Sequence, residues 1–344
     1  MGVSKYTNMN IGMICRADNS GLGSLSREFA NHINPKKVLI VANGVFKTFR
    51  ERYARFETQI ARPCSFFMDG EKDWLVKDID VLLSIETFYD WSIIAHCRRA
   101  GVKTALVTMC EMSPELLPRN PDLFLCPSKL DYDIFKRFGI QRQYIPIPLN
   151  TKKLLWRRRG KAEMFIHCAS HGGMNNRKGT HLLIEAMKYV KSPIKLIIYS
   201  WIPYECNDPR VRIRLQNFEN YWQVWKEGDV LVYPQDYNGI CLPIIEAMAS
   251  GLGVITTDIY PFNEYMPKEL MFKPKEMYRT RAQFGAIEMD AAKIDPHDIA
   301  AKIDEVYGMD LGKFSDYGKD WAAKNSWEVL LPQYEEALKN LCQS

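Results

Sequence analysis

Short apolar runs of strand length alternate with amphipathic stretches of helix length along most of the chain, the pattern of repeated βαβ units around a parallel sheet. The first unit reads as a strand in "MNIGMIC", a loop in "RADNSGLGS" and a helix in "LSREFANHI". In that helix Leu25, Phe29 and Ile33 recur every four residues and line one face. Further strands are predicted at "KVLIVA", "VLLSI", "KTALVTM", "LFLCP" and "QYIPI". The segments "DWSIIAHCRRAG" and "KLDYDIFKRFG" read as helices stopped by Gly101 and Gly139.

The alternation breaks near residue 150, where "IPIPLNTKKLLWRRRGK" combines prolines with a basic run that reads as a solvated linker. It restarts with a strand in "EMFIHCAS", a loop in "HGGMNNRKGT" and a helix in "HLLIEAMKYV", whose Leu182, Leu183, Ala186, Met187 and Val190 form an apolar stripe. A strand "IKLIIYS", a helix "FENYWQVWKEG", a strand "DVLVYP", the helix of "LPIIEAMAS" and a strand "GVITT" follow. Two α/β halves are therefore expected, and 344 residues suit two domains of about 150 each.

Composition changes this picture little. Hydrophobic residues at 47% and charged residues at 25% are those of a globular chain. Residues 1–6 are polar and the first apolar run is too short for a signal peptide or membrane span, so a cytoplasmic protein is expected. Tyr6 stands where a myristoylation pattern wants Ser or Thr. The nine cysteines include no C-x-x-C pair, which argues against a zinc site or a disulfide framework. A net charge of +5 does not by itself indicate nucleic acid.

Candidate chemistry lies in three loops that follow strands, where open α/β sheets bind ligands against helix N-termini. "NSGLGSLS" offers Gly21 and Gly23, "HGGMNNRKGT" offers Gly172, Gly173, Arg177 and Lys178, and "DYNGICLP" offers Gly239 ahead of a helix with Pro243 in its first turn. Each reads equally as plain turn geometry, and Arg177-Lys178 equally as a solvated pair. Their repetition in both halves points to a phosphate-bearing ligand.

Two stretches, "EAMASGLGVITTD" and "RKGTHLLIEAM", with "DVLVYPQDYNGICLPIIE", "DPHDIAAKI" and "SWE" in support, make the chain resemble the GT-B glycosyltransferases, specifically the retaining family 4, the glycosyl transferases group 1. The resemblance is strong from Glu163 to Glu264 and looser before residue 150. It implies an α/β GT-B fold of two Rossmann-like domains facing each other across a cleft. Residues 1–152 would form the acceptor domain, 153–322 the nucleotide-sugar domain, and 323–344 a helix crossing back to the first.

It also implies a metal-independent hexosyltransferase that moves a sugar from a nucleotide diphosphate to an acceptor hydroxyl with retention, the nucleotide sugar being a co-substrate and no cofactor being required. In that reading Glu246 accepts the donor's ribose hydroxyls, and Lys178 lies against its diphosphate. Gly239, Cys241 and Leu242 offer backbone N–H groups, as does Gly23, with Gly21 beside it. His171 and Arg177 add donor contacts. The chain departs from the family at Asn238, where a Glu is usual at the donor sugar, at Gly172, where an Arg is usual, and at Cys241, where a Gly is usual. Cys110 stands where many relatives carry His.

Two alternatives follow from these departures and from charge. One is a non-catalytic nucleotide-sugar-binding relative. The other is a glycosyltransferase acting on a hydroxylated base in DNA, since "FKTFRERYARF" and "KKLLWRRRGK" interleave cations with aromatics. The acceptor is otherwise a glycan or small molecule. Glu86 and Glu111 follow first-half strands and are acceptor-side candidates.

Asp78-Ile79-Asp80 spells a metal-binding D-x-D but precedes a strand, so a solvated turn is expected. The six histidines show no helical metal pair; His171 is read as a ligand contact and His167 as a core residue. A nicotinamide dehydrogenase would want a third Gly where Ser26 stands and an acidic residue after "VANG".

Overall fold

A computed structural model describes residues 9–42, 44–61 and 66–344, with every side chain in those ranges except that of residue 174. The expectations made for residues 1–6, Asn43 and Cys64 lie outside the described residues. The chain divides into two compact units: Met1–Pro148 with Gly285–Ile287 and Trp327–Ser344, and Leu149–Phe284 with Glu288–Ser326.

The first unit runs β1 (Ile11–Cys15), α1 (Gly21–Ile33), β2 (Lys37–Val41), β3 (Glu57–Ala61), α2 (Asp69–Val76), β4 (Val81–Glu86), α3 (Ile93–Arg99), β5 (Lys103–Thr108), β6 (Leu123–Cys126), α4 (Lys129–Phe135) and β7 (Gln141–Tyr144). Its seven strands are parallel, in the order β3-β2-β1-β4-β5-β6-β7. Every residue of β1 and β2 is buried, as expected of a parallel sheet covered on both faces.

The second unit runs β8 (Met164–Ser170), α5 (Thr180–Ala186), β9 (Lys195–Ser200), β10 (Val211–Leu215), β11 (Val230–Tyr233), α6 (Leu242–Ala249), β12 (Gly253–Thr257), β13 (Met271–Phe272), a hairpin of β14 (Glu276–Thr280) and β15 (Met289–Lys293), α7 (Pro296–Val306) and α8 (Gly312–Lys324). Its parallel sheet has the order β10-β9-β8-β11-β12-β13. Both sheets are thus doubly wound, and the strand order reverses between β1 and β4 in one and between β8 and β11 in the other.

The last helix, α9 (Trp327–Gln343), belongs to the first unit. There Phe29 of α1 meets Trp327 and Tyr334 edge-on, with ring centroids 5.0 and 5.2 Å apart, and His32 stacks on Trp327 at 4.1 Å. The Tyr334 hydroxyl donates to the Ile145 carbonyl at 3.2 Å.

Three local expectations are corrected. Helix α1 starts at Gly21 rather than Leu25, because Ser20 caps it and accepts from the Gly23 N–H at 3.1 Å. The stretch "FENYWQVWKEG" forms only a 3-10 helix over Tyr221–Lys226. The basic run is solvated only in part: Lys152, Arg157, Arg158 and Lys161 are exposed as expected, but Leu154 and Arg159 are buried, and Trp156 donates its indole N–H to the Ser315 carbonyl at 3.0 Å. Arg159 Nη2 donates to the carbonyls of Trp225 (3.0 Å) and Ser250 (3.4 Å), a cation at the carbonyl-rich end of α6.

Candidate functional site

In the second unit the two loops at the strand-order reversal carry the residues singled out from the sequence. The loop after β8 delivers His171, Arg177 and Lys178 to α5, and the loop after β11 delivers Asn238, Gly239 and Cys241 to α6. Backbone and side chain tie the loops together: the Asp236 N–H donates to the Arg177 carbonyl at 3.2 Å, and Asn175 Nδ2 donates to the Tyr237 hydroxyl at 3.2 Å. The Arg177 guanidinium lies 5.4 Å from the centre of the Tyr237 ring.

Gly179 explains how closely the loops approach. Its φ is 65°, and a Cβ there would stand 2.1 Å from the Pro234 carbonyl oxygen, so glycine is required on both counts. His167 is a core residue, as expected. It is fully buried, with Nδ1 2.8 Å from the Val232 carbonyl and Nε2 2.8 Å from Thr180 Oγ1, joining β8, β11 and the start of α5. Burial pushes its pKa down to about 4, so it stays neutral.

Lys178 is half-buried and donates from Nζ to the Ala169 carbonyl at 2.9 Å. Burial lowers its pKa to about 8; the neighbouring Arg177 pushes the same way, while Cys168 and Cys241 oppose it. Cys168 in turn feels both Lys178 and Glu246, and the buried Tyr233 feels Cys241, Arg177 and Glu246. The structure therefore gathers Arg177, Lys178, Cys241 and Glu246 around the ends of β8 and β11. Cys168, Tyr233 and Trp225, which the sequence did not single out, complete the floor. As apolar-strand or aromatic positions they carried no signal beyond core packing.

Glu246 projects from α6, half-buried, and its Oε2 accepts from the buried Trp225 indole N–H at 3.2 Å. Asn238 is buried, and its Oδ1 accepts from the N–H groups of Ile240 (3.2 Å) and Cys241 (3.0 Å). Cys241 has a φ of 57°, left-handed for a residue with a side chain, and its thiol donates to Gln235 Oε1 at 3.0 Å. The Cys241 N–H, expected to face a ligand, is thus committed to Asn238 in this structure. Leu242 opens α6, and His171 is exposed beside Trp201, with ring centroids 5.7 Å apart.

A cavity of about 480 Å³ adjoins these loops, lined by Gly179, Pro234, Asp236 and Tyr278, with the hairpin β14–β15 as its far wall. Burial raises the pKa of Asp236 to about 7, although its backbone hydrogen bonds and Arg177 oppose the shift.

The first-unit candidates are placed differently. Gly21 and Gly23 lie inside the first turn of α1, and a Cβ at Gly23 would stand 2.3 Å from the Asp18 carbonyl oxygen. Asp18 Oδ1 accepts from the Ser20 N–H at 2.8 Å, so a carboxylate of the chain already sits at this helix start, paired with Arg16. The close approach that Gly23 permits is to Asp18. Glu111 is 1% exposed, in a 3-10 turn after β5, which removes it from an acceptor-facing surface. Glu86 ends β4, half-exposed, with φ 72°.

The aromatics of "FKTFRERYARF" are also committed. Tyr53 and Phe56 are buried, Arg52 covers Phe49 at 3.9 Å and Arg55 covers Phe56 at 4.6 Å. Asp78-Ile79-Asp80 forms the turn expected, with Asp80 Oδ2 accepting from the Asn10 N–H at 2.6 Å. Among the described residues no cluster of three or more His, Cys, Asp or Glu is placed to hold a metal, and no helix is long and apolar enough to cross a membrane.

Two doubly wound Rossmann-like units of this kind define the GT-B fold of the glycosyltransferases, which this chain has. Residues 166–282, which contain both loops, match the family model described as Glycosyl transferases group 1. Among solved structures, a glycosyltransferase from Rickettsia africae is similar with a TM-score of 0.72 at 13% identity, over 98% of this chain and 99% of that one. The Anabaena protein HepE in complex with UDP-glucose is similar with a TM-score of 0.71 at 13% identity, over 97% and 100%. Sucrose-phosphate synthase from Thermosynechococcus elongatus is similar with a TM-score of 0.67 at 15% identity, over 97% and 99%. No curated protein matches the sequence.

Proposed function

We propose that the protein is a retaining glycosyltransferase that takes a sugar from a nucleotide diphosphate, held by the second unit, and passes it to an acceptor hydroxyl. The observation that carries this reading is the pair of tied loops at the β8/β11 reversal, which brings Lys178 and Glu246 around one strand-end floor. The group 1 match over the same residues supports it, and the HepE complex with UDP-glucose supports a UDP-sugar as donor class.

In this reading the Glu246 carboxylate, which accepts from Trp225 through Oε2, also accepts the two ribose hydroxyls. Lys178 meets the diphosphate as a point charge. As the bond between the sugar's anomeric carbon and the phosphate oxygen breaks, the electron pair goes to that oxygen and Lys178 stabilises the developing charge. The acceptor oxygen bonds to the anomeric carbon on the same face, and its proton passes to the departing phosphate. Gly239 and Leu242 add backbone N–H groups, and His171 and Arg177 add outer contacts. Asn238 holds the loop through Oδ1 and presents only its amide nitrogen towards the sugar. The nucleotide sugar is a co-substrate, and Lys178 with the loop N–H groups supplies the charge that a metal supplies elsewhere.

Calorimetric titration with UDP-, GDP-, ADP- and CDP-glucose tests the reading, followed by nucleotide release with a panel of acceptors. Binding of one nucleotide sugar, lost in Glu246→Ala and Lys178→Met, is expected. Binding that Glu246→Ala leaves unchanged overturns the site. Binding with no release under any acceptor selects the non-catalytic alternative, which the commitment of the Asn238 oxygen to the loop favours.

A further inference from the structure

We propose that a groove of the first unit binds an anionic sugar derivative, a pyranose-sized ring bearing a phosphate or carboxylate, and that this ligand is the acceptor; the second half of the statement rests on the glycosyl-transfer reading above. The groove has a volume of about 530 Å³ and lies among the segments that follow β3, β4 and β5, its walls including Phe66, Lys72, Tyr89, Trp91, Arg99 and Arg119.

Its charges are unevenly satisfied. Lys72 is neutralised by the buried Asp90 at 3.1 Å and held by Ser92 Oγ at 2.8 Å. Asp90 also accepts from the Phe67 N–H at 2.8 Å. His96 lies 2.8 Å from Asp73 through Nε2, and its Nδ1 lies 3.1 Å from Arg99 Nη2, so the contact given for Arg99 is a ring nitrogen and not a carboxylate. Among the described residues Arg119 donates only to the Pro118 carbonyl, at 2.9 Å. Among the described residues neither guanidinium has a carboxylate partner, and the acidic groups on the wall are Asp69 and Asp90. Two such forks recognise a phosphate or carboxylate bidentately.

The aromatic wall supplies the second half of the recognition. Trp91 is fixed by Phe88 edge-on, with ring centroids 5.3 Å apart, and Phe66 is 71% exposed. Flat faces of this kind pack against the C–H face of a sugar ring while leaving its hydroxyls to polar groups. The Tyr89 hydroxyl is buried and has no hydrogen-bond partner among the described residues. Its backbone is left-handed at φ 61°, a conformation that sets this bulky side chain in the groove wall. Tyr89, Asp90 and Trp91 follow the carboxyl end of β4, so this part of the wall lies beyond that strand's end.

The test is titration of the full chain with glucose 6-phosphate, glucuronate, glucose and inorganic phosphate, read by calorimetry and ligand-observed NMR. At least one charged sugar is expected to bind tenfold or more tightly than glucose and than inorganic phosphate, and the two charged sugars separate a phosphate from a carboxylate preference. In Arg99→Ala/Arg119→Ala that preference should disappear, with the melting temperature unchanged because both side chains are exposed. Trp91→Ala should weaken charged and neutral sugars alike. Equal binding of charged and neutral sugars, inorganic phosphate binding as tightly as the phosphosugar, or an unchanged preference in the double variant overturns the proposal. Nucleotide-sugar binding measured on the same samples reports separately on the donor reading. Its loss there with charged-sugar binding intact overturns only the assignment as acceptor.

Discussion

Trp225 donates its indole N–H to Oε2 of Glu246 at 3.2 Å, and the carbonyl of the same Trp225 accepts from Arg159 at 3.0 Å. A residue from the basic run near the joint thus fixes the aromatic that orients the carboxylate. Trp225→Phe keeps most of the packing and removes this donor to Glu246. Nucleotide-sugar affinity is expected to fall about tenfold, the value of roughly one charge-assisted hydrogen bond. On the proposed reading, in which it accepts both ribose hydroxyls, Glu246→Ala should lose about 100-fold or more. Calorimetry on both variants decides it, and equal affinity in Trp225→Phe and wild type would show that the indole does no positioning.

Lys178 links pH to both binding and stability. Its pKa of about 8 in the folded protein lies below the ordinary lysine value of 10.5, so the unfolded chain binds more protons between those values. The burial penalty is therefore fully present below pH 8 and is relieved as pH rises towards 10.5. Lys178→Met should raise the melting temperature at pH 7 while abolishing diphosphate binding. In the wild type, affinity for the nucleotide diphosphate should decline as pH rises above 8, and the variant's residual affinity should be flat over the same range.

Gly179→Ala tests how closely the two loops are held. With φ at 65° and a Cβ 2.1 Å from the Pro234 carbonyl oxygen, the cost should exceed about 2 kcal/mol. A fall in melting temperature of roughly 5 °C or more follows for a domain of this size. Gly70, on α2, has nothing within 4 Å of its Cβ position, and Gly70→Ala should change stability by less than about 1 kcal/mol. Equal melting temperatures for the two variants would mean that the loops yield without cost.

Asp131 makes the first unit sensitive to pH near neutrality. It is fully buried, with Oδ2 accepting from Thr108 Oγ1 at 2.7 Å and Oδ1 from the Cys110 N–H at 3.3 Å. Burial, with Glu111 adding to it, raises its pKa to about 7 against the hydrogen bonds from Thr108 and Cys110. The folded state therefore holds a proton that the unfolded chain releases near pH 3.8, so this contribution to stability is present at low pH and lost as pH rises through 7. Melting temperature should decline from pH 5 to pH 8, and Asp131→Asn should flatten part of that slope. Asp236, raised to about 7 by burial, contributes a slope of the same sign in the second unit. A variant with the wild-type slope would place the titration elsewhere.

Strands buried on both faces, such as "GMIC" in β1 and "VLVY" in β11, were legible in the sequence as continuous apolar runs. Lys178 and Glu246 stood out as candidates because their neighbours keep a recognisable spacing. The edge strands β3 and β10, "ETQIA" and "VRIRL", were not legible, since an edge strand half-open to solvent keeps charges that break the apolar signal. The hairpin β14–β15 escaped for the same reason, its first strand being exposed along most of its length.

By itself the sequence determined two α/β halves and the loops that carry the candidate residues, because hydrophobic period and glycine placement act locally. Only the tertiary structure decided which groups remain available to a ligand. Asp18 takes the start of α1, Asn238 takes the Cys241 N–H, Glu111 is buried, and Arg159 leaves solvent for the end of α6. Each of these outcomes depends on a partner brought near by packing, at a distance in space that spacing along the chain does not encode.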